Sequence, residues 1–282
     1  MLRFGPRRPG AKVKSVIVGI ISDVHANVVA LEAVIHELRE KGADTILCLG
    51  DLVGYGPSPN ETIEMIRAEG IKCTVGAADE RIAYDFARSK RPREGVADQT
   101  LEWTRTVIEP KNVEFLRSLP VQQRLKTPAG RLRCFHGSPD APAQKMNLNQ
   151  DPITLRKLLE ANRCSILAAG GSHVPFFRKV EMNWVVNPGS VGLSLNGEPG
   201  ADYALITFDD SGQATVKMDK VEYDFAAVAF DIIAWGLPPV VAEAVQQGRM
   251  PDPSANRDVQ PIIENPIIAD TAQSSEANEE AP

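Results

Sequence analysis

Val16 to Ile21 is an unbroken apolar run set between Ser15 and Ser22-Asp23. That is the pattern of a strand covered on both faces inside a parallel sheet. Asn27 follows as an N-cap, and Leu31, Val34, Ile35 and Leu38 then recur at helical spacing up to Lys41-Gly42, where glycine stops the helix. Thr45 to Leu49 reads as a second strand, Asn60 to Glu69 as a helix closed by Gly70, and Ile71 to Val75 as a third strand. The alternation predicts a β-α-β-α-β unit with right-handed crossovers.

Between Asp79 and Leu119 the pattern turns helical, with Leu101, Trp103, Val107, Phe115 and Leu116 as expected core positions and Pro120 as the stop. Beyond it, strand-like segments recur around Leu132 to Phe135, Ile166 to Ala169, Trp184 to Val186, Ala204 to Phe208 and Ala214 to Met218. One helix, Ile153 to Ala161, interrupts them. Two facing sheets with helices outside, in one domain over 16–222, is the most economical architecture. Asp224 to Trp235 and Pro239 to Gln247 read as two short helices around Gly236-Leu237-Pro238, within a stretch, 223–249, that is expected to pack on the domain.

Composition bounds the ends and the partners. The 282 residues are 43% hydrophobic, enough for a sizeable core. Residues 251–282 carry seven acidic groups against one arginine, with five prolines, so 250–282 is expected to be a disordered acidic tail. Within it Pro261-Ile262-Ile263-Glu264-Asn265 is echoed by Pro266-Ile267-Ile268-Ala269-Asp270, read first as chance in a linker and second as a docking peptide for a protein partner. The first 15 residues form a basic arm, and the apolar run behind them is too short for a signal peptide. No segment has the roughly 18 apolar residues of a membrane span. A net charge of -6 excludes holding nucleic acid by bulk phosphate attraction. Cys48, Cys73, Cys134 and Cys164 are widely spaced with mostly apolar neighbours, and read as buried free thiols of a cytoplasmic protein.

The chemistry gathers at strand ends. Asp23 and His25, at i and i+2 after the first strand, are expected to point to one side of an extended segment, and Asp51 follows the second strand directly. Of four histidines, His36 lies within the first helix and reads as a surface residue. The other three, His25, His136 and His173, each follow a strand. Three histidines and two carboxylates at strand ends of one sheet system point to a metal site.

With these residues in place, the chain resembles the calcineurin-like metallophosphoesterases, in their bacterial small phosphodiesterase branch. Further matching stretches are Ser22-Asp23-Val24-His25-Ala26-Asn27, Gly50-Asp51-Leu52-Val53-Gly54-Tyr55-Gly56-Pro57, Phe115-Leu116-Arg117-Ser118-Leu119-Pro120 and Asn187-Pro188-Gly189-Ser190-Val191-Gly192. The resemblance implies an α/β fold, a four-layer α-β-β-α sandwich. It also implies a first divalent metal (manganese, iron or zinc) on Asp23, His25, Asp51 and His173, with Asp51 as the bridge to a second metal that His136 also serves. The implied activity is hydrolysis of phosphodiesters or phosphomonoesters by metal-bound hydroxide, on a phosphorylated small molecule or nucleotide.

The family pattern is broken at the second metal. Its Asn and the neighbouring acid histidine fall at Ala77 and Ala78, and the first histidine of its G-H-x-H motif falls at Gly171. One ion is therefore expected to be held, with the second weak or absent. Asp79 and Glu80 are the nearest substitutes for the missing acid. Two functions follow from the resemblance: a weakened one-metal hydrolase using Asp51 and His136, or a pseudoenzyme that binds metal or a phosphorylated ligand as a regulatory module.

Overall fold

A computed structural model of the chain describes residues 15–84, 95–140, 144–209 and 211–251. The basic arm up to residue 14, the acidic tail beyond 251 and the isoleucine repeat at 261–270 lie outside the described residues.

The first strand, β1 (Val16–Ile21), leads through the Asn27-capped helix α1 (Val28–Glu40) to β2 (Thr45–Cys48), α2 (Pro59–Ala68) and the short β3 (Lys72–Cys73). Asn27 accepts from the Ala30 N–H at 3.0 Å, satisfying one of the orphan donors of the first helical turn. Three helices follow, α3 (Ala77–Ala83), α4 (Val96–Val107) and α5 (Pro110–Ser118). The remainder runs β4 (Gln122–Thr127), β5 (Gly130–Phe135), α6 (Pro152–Asn162), β6 (Ile166–Ala169), β7 (Phe176–Val180), β8 (Asn183–Asn187), β9 (Ala201–Phe208), β10 (Ala214–Val221), α7 (Phe225–Ala234) and α8 (Pro239–Gln247).

These strands form two five-stranded sheets, ordered β10-β9-β1-β2-β3 and β4-β5-β6-β8-β7. The centre of each is parallel, β1 with β2 and β3, and β5 with β6 and β8, while antiparallel strands close the β10 edge and both edges of the second sheet. Side-chain alternation decides the layering. Val18 and Ile20 of β1 meet Leu132, Cys134, Ile166 and Ala168 of the other sheet, whereas Ile21 turns outward to Leu31, Val34 and Leu38 of α1. On the far face of the second sheet, Leu155, Leu158 and Leu159 of α6 cover Leu167 and Val185. The result is the four-layer α-β-β-α sandwich. Among the described residues no helix is long and apolar enough to cross a membrane.

All four cysteines are buried and free. Leu101 and Leu116 are core residues, whereas Trp103, Val107 and Phe115 are only half-buried. Val228, Ala229 and Ile232 of α7 and Val241 and Val245 of α8 pack together with Leu193. The two helices thereby brace the loop after β8, which reaches into the cleft described next.

A candidate metal centre at the strand ends

The parallel strands of both sheets point their carboxyl ends at one cleft, the usual ligand crevice of α/β sheets. Loops zip together there through backbone bonds: Asp23, His25 and Ala26 N–H groups donate to Gly50, Asp51 and Leu52 carbonyls at 2.8 to 2.9 Å. The pairing forces an unusual backbone. Asp23, His25, Ala26, Asp51, Tyr55 and His173 all have φ between 48° and 61°. The segment after β1 is therefore not extended as its spacing suggested; consecutive turns, not strand alternation, aim Asp23 and His25. Left-handed non-glycine residues cost roughly 1 to 3 kcal/mol each and persist only where the surroundings over-determine them. Gly76 permits a close approach, since a Cβ there would stand 2.0 Å from the Asp51 nitrogen.

Asp23, His25, Asp51, His136 and His173 are all buried, so His25 and Asp51 are not loop residues outside the core. The three rings share one arrangement. His25 Nδ1 lies 3.1 Å from the Val53 carbonyl, His136 Nδ1 2.9 Å from that of Leu49, and His173 Nδ1 2.9 Å from that of Leu193. A carbonyl only accepts, so each Nδ1 carries a proton and donates it, and each Nε2 is directed into the cleft, as a lone pair where the ring is neutral. The Nε2 atoms of His25 and His173 face each other at 3.0 Å. Asp23 Oδ1 stands 3.8 and 3.5 Å from them and has no hydrogen-bond partner among the described residues, while Oδ2 accepts from the Gly171 N–H at 2.9 Å. An orphaned buried carboxylate oxygen costs at least 1 to 3 kcal/mol.

A cation here would satisfy both facing Nε2 atoms and the orphaned Asp23 oxygen. Asp23, His25 and His173 thus form one group able to hold a metal ion, and Asp23, Asp51 and His136 form another. Asp23 is common to both groups, and Asp51 Oδ2 lies 3.9 Å from His25 Nε2 and 3.4 Å from His136 Nε2, with Oδ1 accepting from the Ala78 N–H at 2.7 Å.

The electrostatics follow from burial and this carboxylate. Burial pulls His173 down to about 4, the charges of His25 and Lys145 adding to it against Asp23, so the ring is neutral near pH 7. For His136 burial also opposes charge, but the adjacent Asp51 carboxylate overrides it and raises the ring to about 10. Asp51 in turn lies well below the usual carboxylate range despite its burial, held there by His136, His25 and the Ala78 N–H.

Asp79 and Glu80 do not stand in for the missing acid. Glu80 is exposed. Asp79 points inward, but Oδ1 accepts from the Leu52 and Val53 N–H groups at 2.8 and 3.3 Å and Oδ2 from that of Gly76 at 2.9 Å. It clamps the loop that carries Asp51 to the start of α3. Burial and the Asp51 charge push it up to about 7. His36 lies on the outer face of α1 beside Glu40.

The cleft itself has a volume of about 160 Å³ and includes Tyr55 of the matching Gly50 to Pro57 stretch and two residues that sequence reasoning passed over, Arg81 and Lys145. The Tyr55 ring meets His25 edge-on at a centroid distance of 4.8 Å and His173 at 6.4 Å. Burial first, and then the Asp51 charge, push its hydroxyl up to about 12, so it stays a neutral donor. Ala77, Ala78 and Gly171 line the same cleft.

Fold and site together define a two-sheet α/β sandwich with a buried cluster of histidines and carboxylates that could hold a metal ion. The chain belongs to the calcineurin-like phosphoesterase superfamily, whose domain model matches residues 16–211. It is 31% identical over 255 residues to an uncharacterised protein of Methanocaldococcus jannaschii, covering 84% of this chain and 100% of that one. The crystal structure of a metallophosphoesterase from Sphaerobacter thermophilus is similar to it at 28% identity and a TM-score of 0.68, covering 83% of this chain and 100% of the other. A hypothetical protein from Pyrococcus horikoshii matches at 26% identity and a TM-score of 0.72, over 83% and 98% of the two chains.

Proposed function

We propose that the chain hydrolyses phosphoesters with one divalent ion held by Asp23, His25, Asp51 and His173, and that the second position is weak or vacant. The observation that carries this reading is the pair of facing Nε2 atoms 3.0 Å apart beside the partnerless Asp23 oxygen. When bound, a manganese, iron or zinc ion supplies Lewis acidity toward a phosphoryl oxygen and lowers the pKa of water.

The remaining work falls to the chain. The Val53 and Leu193 carbonyls fix the tautomers of His25 and His173, so both rings present lone pairs without a reorganisation step. Asp51 is kept ionised and immobile by Ala78 and His136. His136 Nε2 lines the cleft, where it contacts phosphate or gives a proton to the leaving oxygen, a role worth about 10² to 10⁴-fold for a positioned acid. Tyr55 shields His25 and His173 on one side and limits water there. The substrate is a phosphorylated small molecule or nucleotide, and the protein is cytoplasmic.

Ala77, Ala78 and Gly171 favour a second reading, in which the domain binds metal or a phosphorylated ligand and turns nothing over. Turnover of an aryl phosphate by metal-loaded protein decides between them. A rate above background that disappears in Asp51→Asn supports hydrolysis, and a wild-type rate equal to that of Asp51→Asn supports the binding module.

A further inference from the structure

Ala77, Ala78 and Arg81 lie within one turn of α3, at i, i+1 and i+4, and all three line the cleft with Gly171 and His136. Where a second metal's ligands and acid would project, the chain has methyl groups and a glycine, and beside that space it has a guanidinium. Arg81 is anchored by Asp98 near the start of α4 and its side chain is 30% exposed. One carboxylate occupies part of a fork of five donors, so N–H groups remain for an anion. Lys145 lines the cleft next to Gly137, close enough for its charge to act on His173. Among the described residues lining the cleft, Asp51 is the one carboxylate, and Arg81 and Lys145 are the one arginine and the one lysine. Ala97 and Leu101 of α4 add an apolar wall.

We propose that Arg81 and Lys145 bind non-bridging oxygens of a terminal phosphate in the space that Ala77, Ala78 and Gly171 leave open, so that the site takes phosphomonoester dianions in preference to diesters. The inference rests on the phosphoesterase reading of the cleft. It follows from counting oxygens: a monoester dianion has three non-bridging oxygens, one each for the ion, Arg81 and Lys145. A diester has two, so one cation would face an esterified oxygen that accepts poorly. Fixed cations thereby supply charge that a second ion gives elsewhere. The apolar wall receives the esterified group.

The test is binding of inorganic phosphate, methyl phosphate and dimethyl phosphate to the metal-loaded full chain by calorimetry. Wild type should bind phosphate and methyl phosphate at least tenfold more tightly than dimethyl phosphate. Arg81→Gln should weaken phosphate by about tenfold or more and shrink that preference, with metal content unchanged, since charge-assisted hydrogen bonds are among the strong ones. Arg81→Lys should recover part of the loss. If Arg81→Gln does not fold, Lys145→Gln, an exposed position, makes the same comparison. Unchanged phosphate affinity in both glutamine variants, or equal affinity for the two methyl esters in wild type, overturns the proposal. Binding that depends on Arg81 without any turnover would instead refute only the hydrolase reading.

Discussion

The Nε2 atoms of His25 and His173 face each other at 3.0 Å, each ring giving its Nδ1 proton to a backbone carbonyl. The chain holds them there with strained, left-handed residues on both loops. Strain of this kind is stable when a ligand offsets it.

Metal removal should therefore cost stability. Chelation is expected to lower the thermal midpoint of wild type by several degrees, since an ion at 100 times its Kd contributes about 2.7 kcal/mol and each kcal/mol shifts a domain of this size by about 2 to 4 °C. His173→Ala should show no such shift. A midpoint indifferent to chelation in wild type would mean that the facing nitrogens are accommodated without a cation.

Restoring the family's second half-site has a cost that the structure locates. Ala77→Asn and Ala78→His sit at the start of α3 beside the cleft, but Gly171 has φ of 80° and a Cβ there would meet His136 Nε2 at 3.3 Å. Gly171→His should cost about 1 to 2 kcal/mol in metal-free protein. The triple variant should gain a second bound metal and raise phosphoesterase turnover by about 10² to 10⁴-fold through the added acid. A folded triple variant with one metal and an unchanged rate would show that the cleft has been rebuilt for other chemistry.

The loop that presents the Leu193 carbonyl is held from behind by a buried pair. Lys220 Nζ lies 3.0 Å from Asp202 Oδ1 and donates to Ser194 Oγ and Asn196 Oδ1, while Ser190 Oγ donates to the Asp23 carbonyl at 2.7 Å. Lys220→Met leaves Asp202, 1% exposed, without its cation and should destabilise by about 3 to 5 kcal/mol.

Burial also raises the Asp202 carboxyl to about 6 in spite of Lys220. The folded chain keeps this proton to a higher pH than the unfolded chain, whose carboxyl titrates near 4. Asp202 thus contributes its full stability below about pH 4 and loses it as pH rises through about 6. Urea denaturation of metal-free protein across that window should show this decline in wild type and a flatter profile in Asp202→Asn. Parallel profiles would contradict it.

Much of this was legible before the structure. The bounds of β1, β6 and α8 follow directly from apolar runs and their Gly, Pro and Ser punctuation, and the candidate ligands from strand ends. What escaped has physical reasons. β4, Gln122–Thr127, is an edge strand with no apolar face, and β7 at the opposite edge is masked by Arg178-Lys179. Asp23 and His25 were aimed by positive φ, which no side-chain periodicity encodes. Arg81 reads as an ordinary helix-surface charge until the register of α3 turns it, with Ala77 and Ala78, toward the cleft.

The central claim is a single catalytic ion on Asp23, His25, Asp51 and His173, and the most direct measurement is turnover of an aryl phosphate as metal is titrated into metal-free protein. The account predicts a rate that rises with the first equivalent, saturates at about one ion per chain, and is absent in Asp51→Asn. A rate that stays at background throughout, or that appears only with a second equivalent, would contradict it.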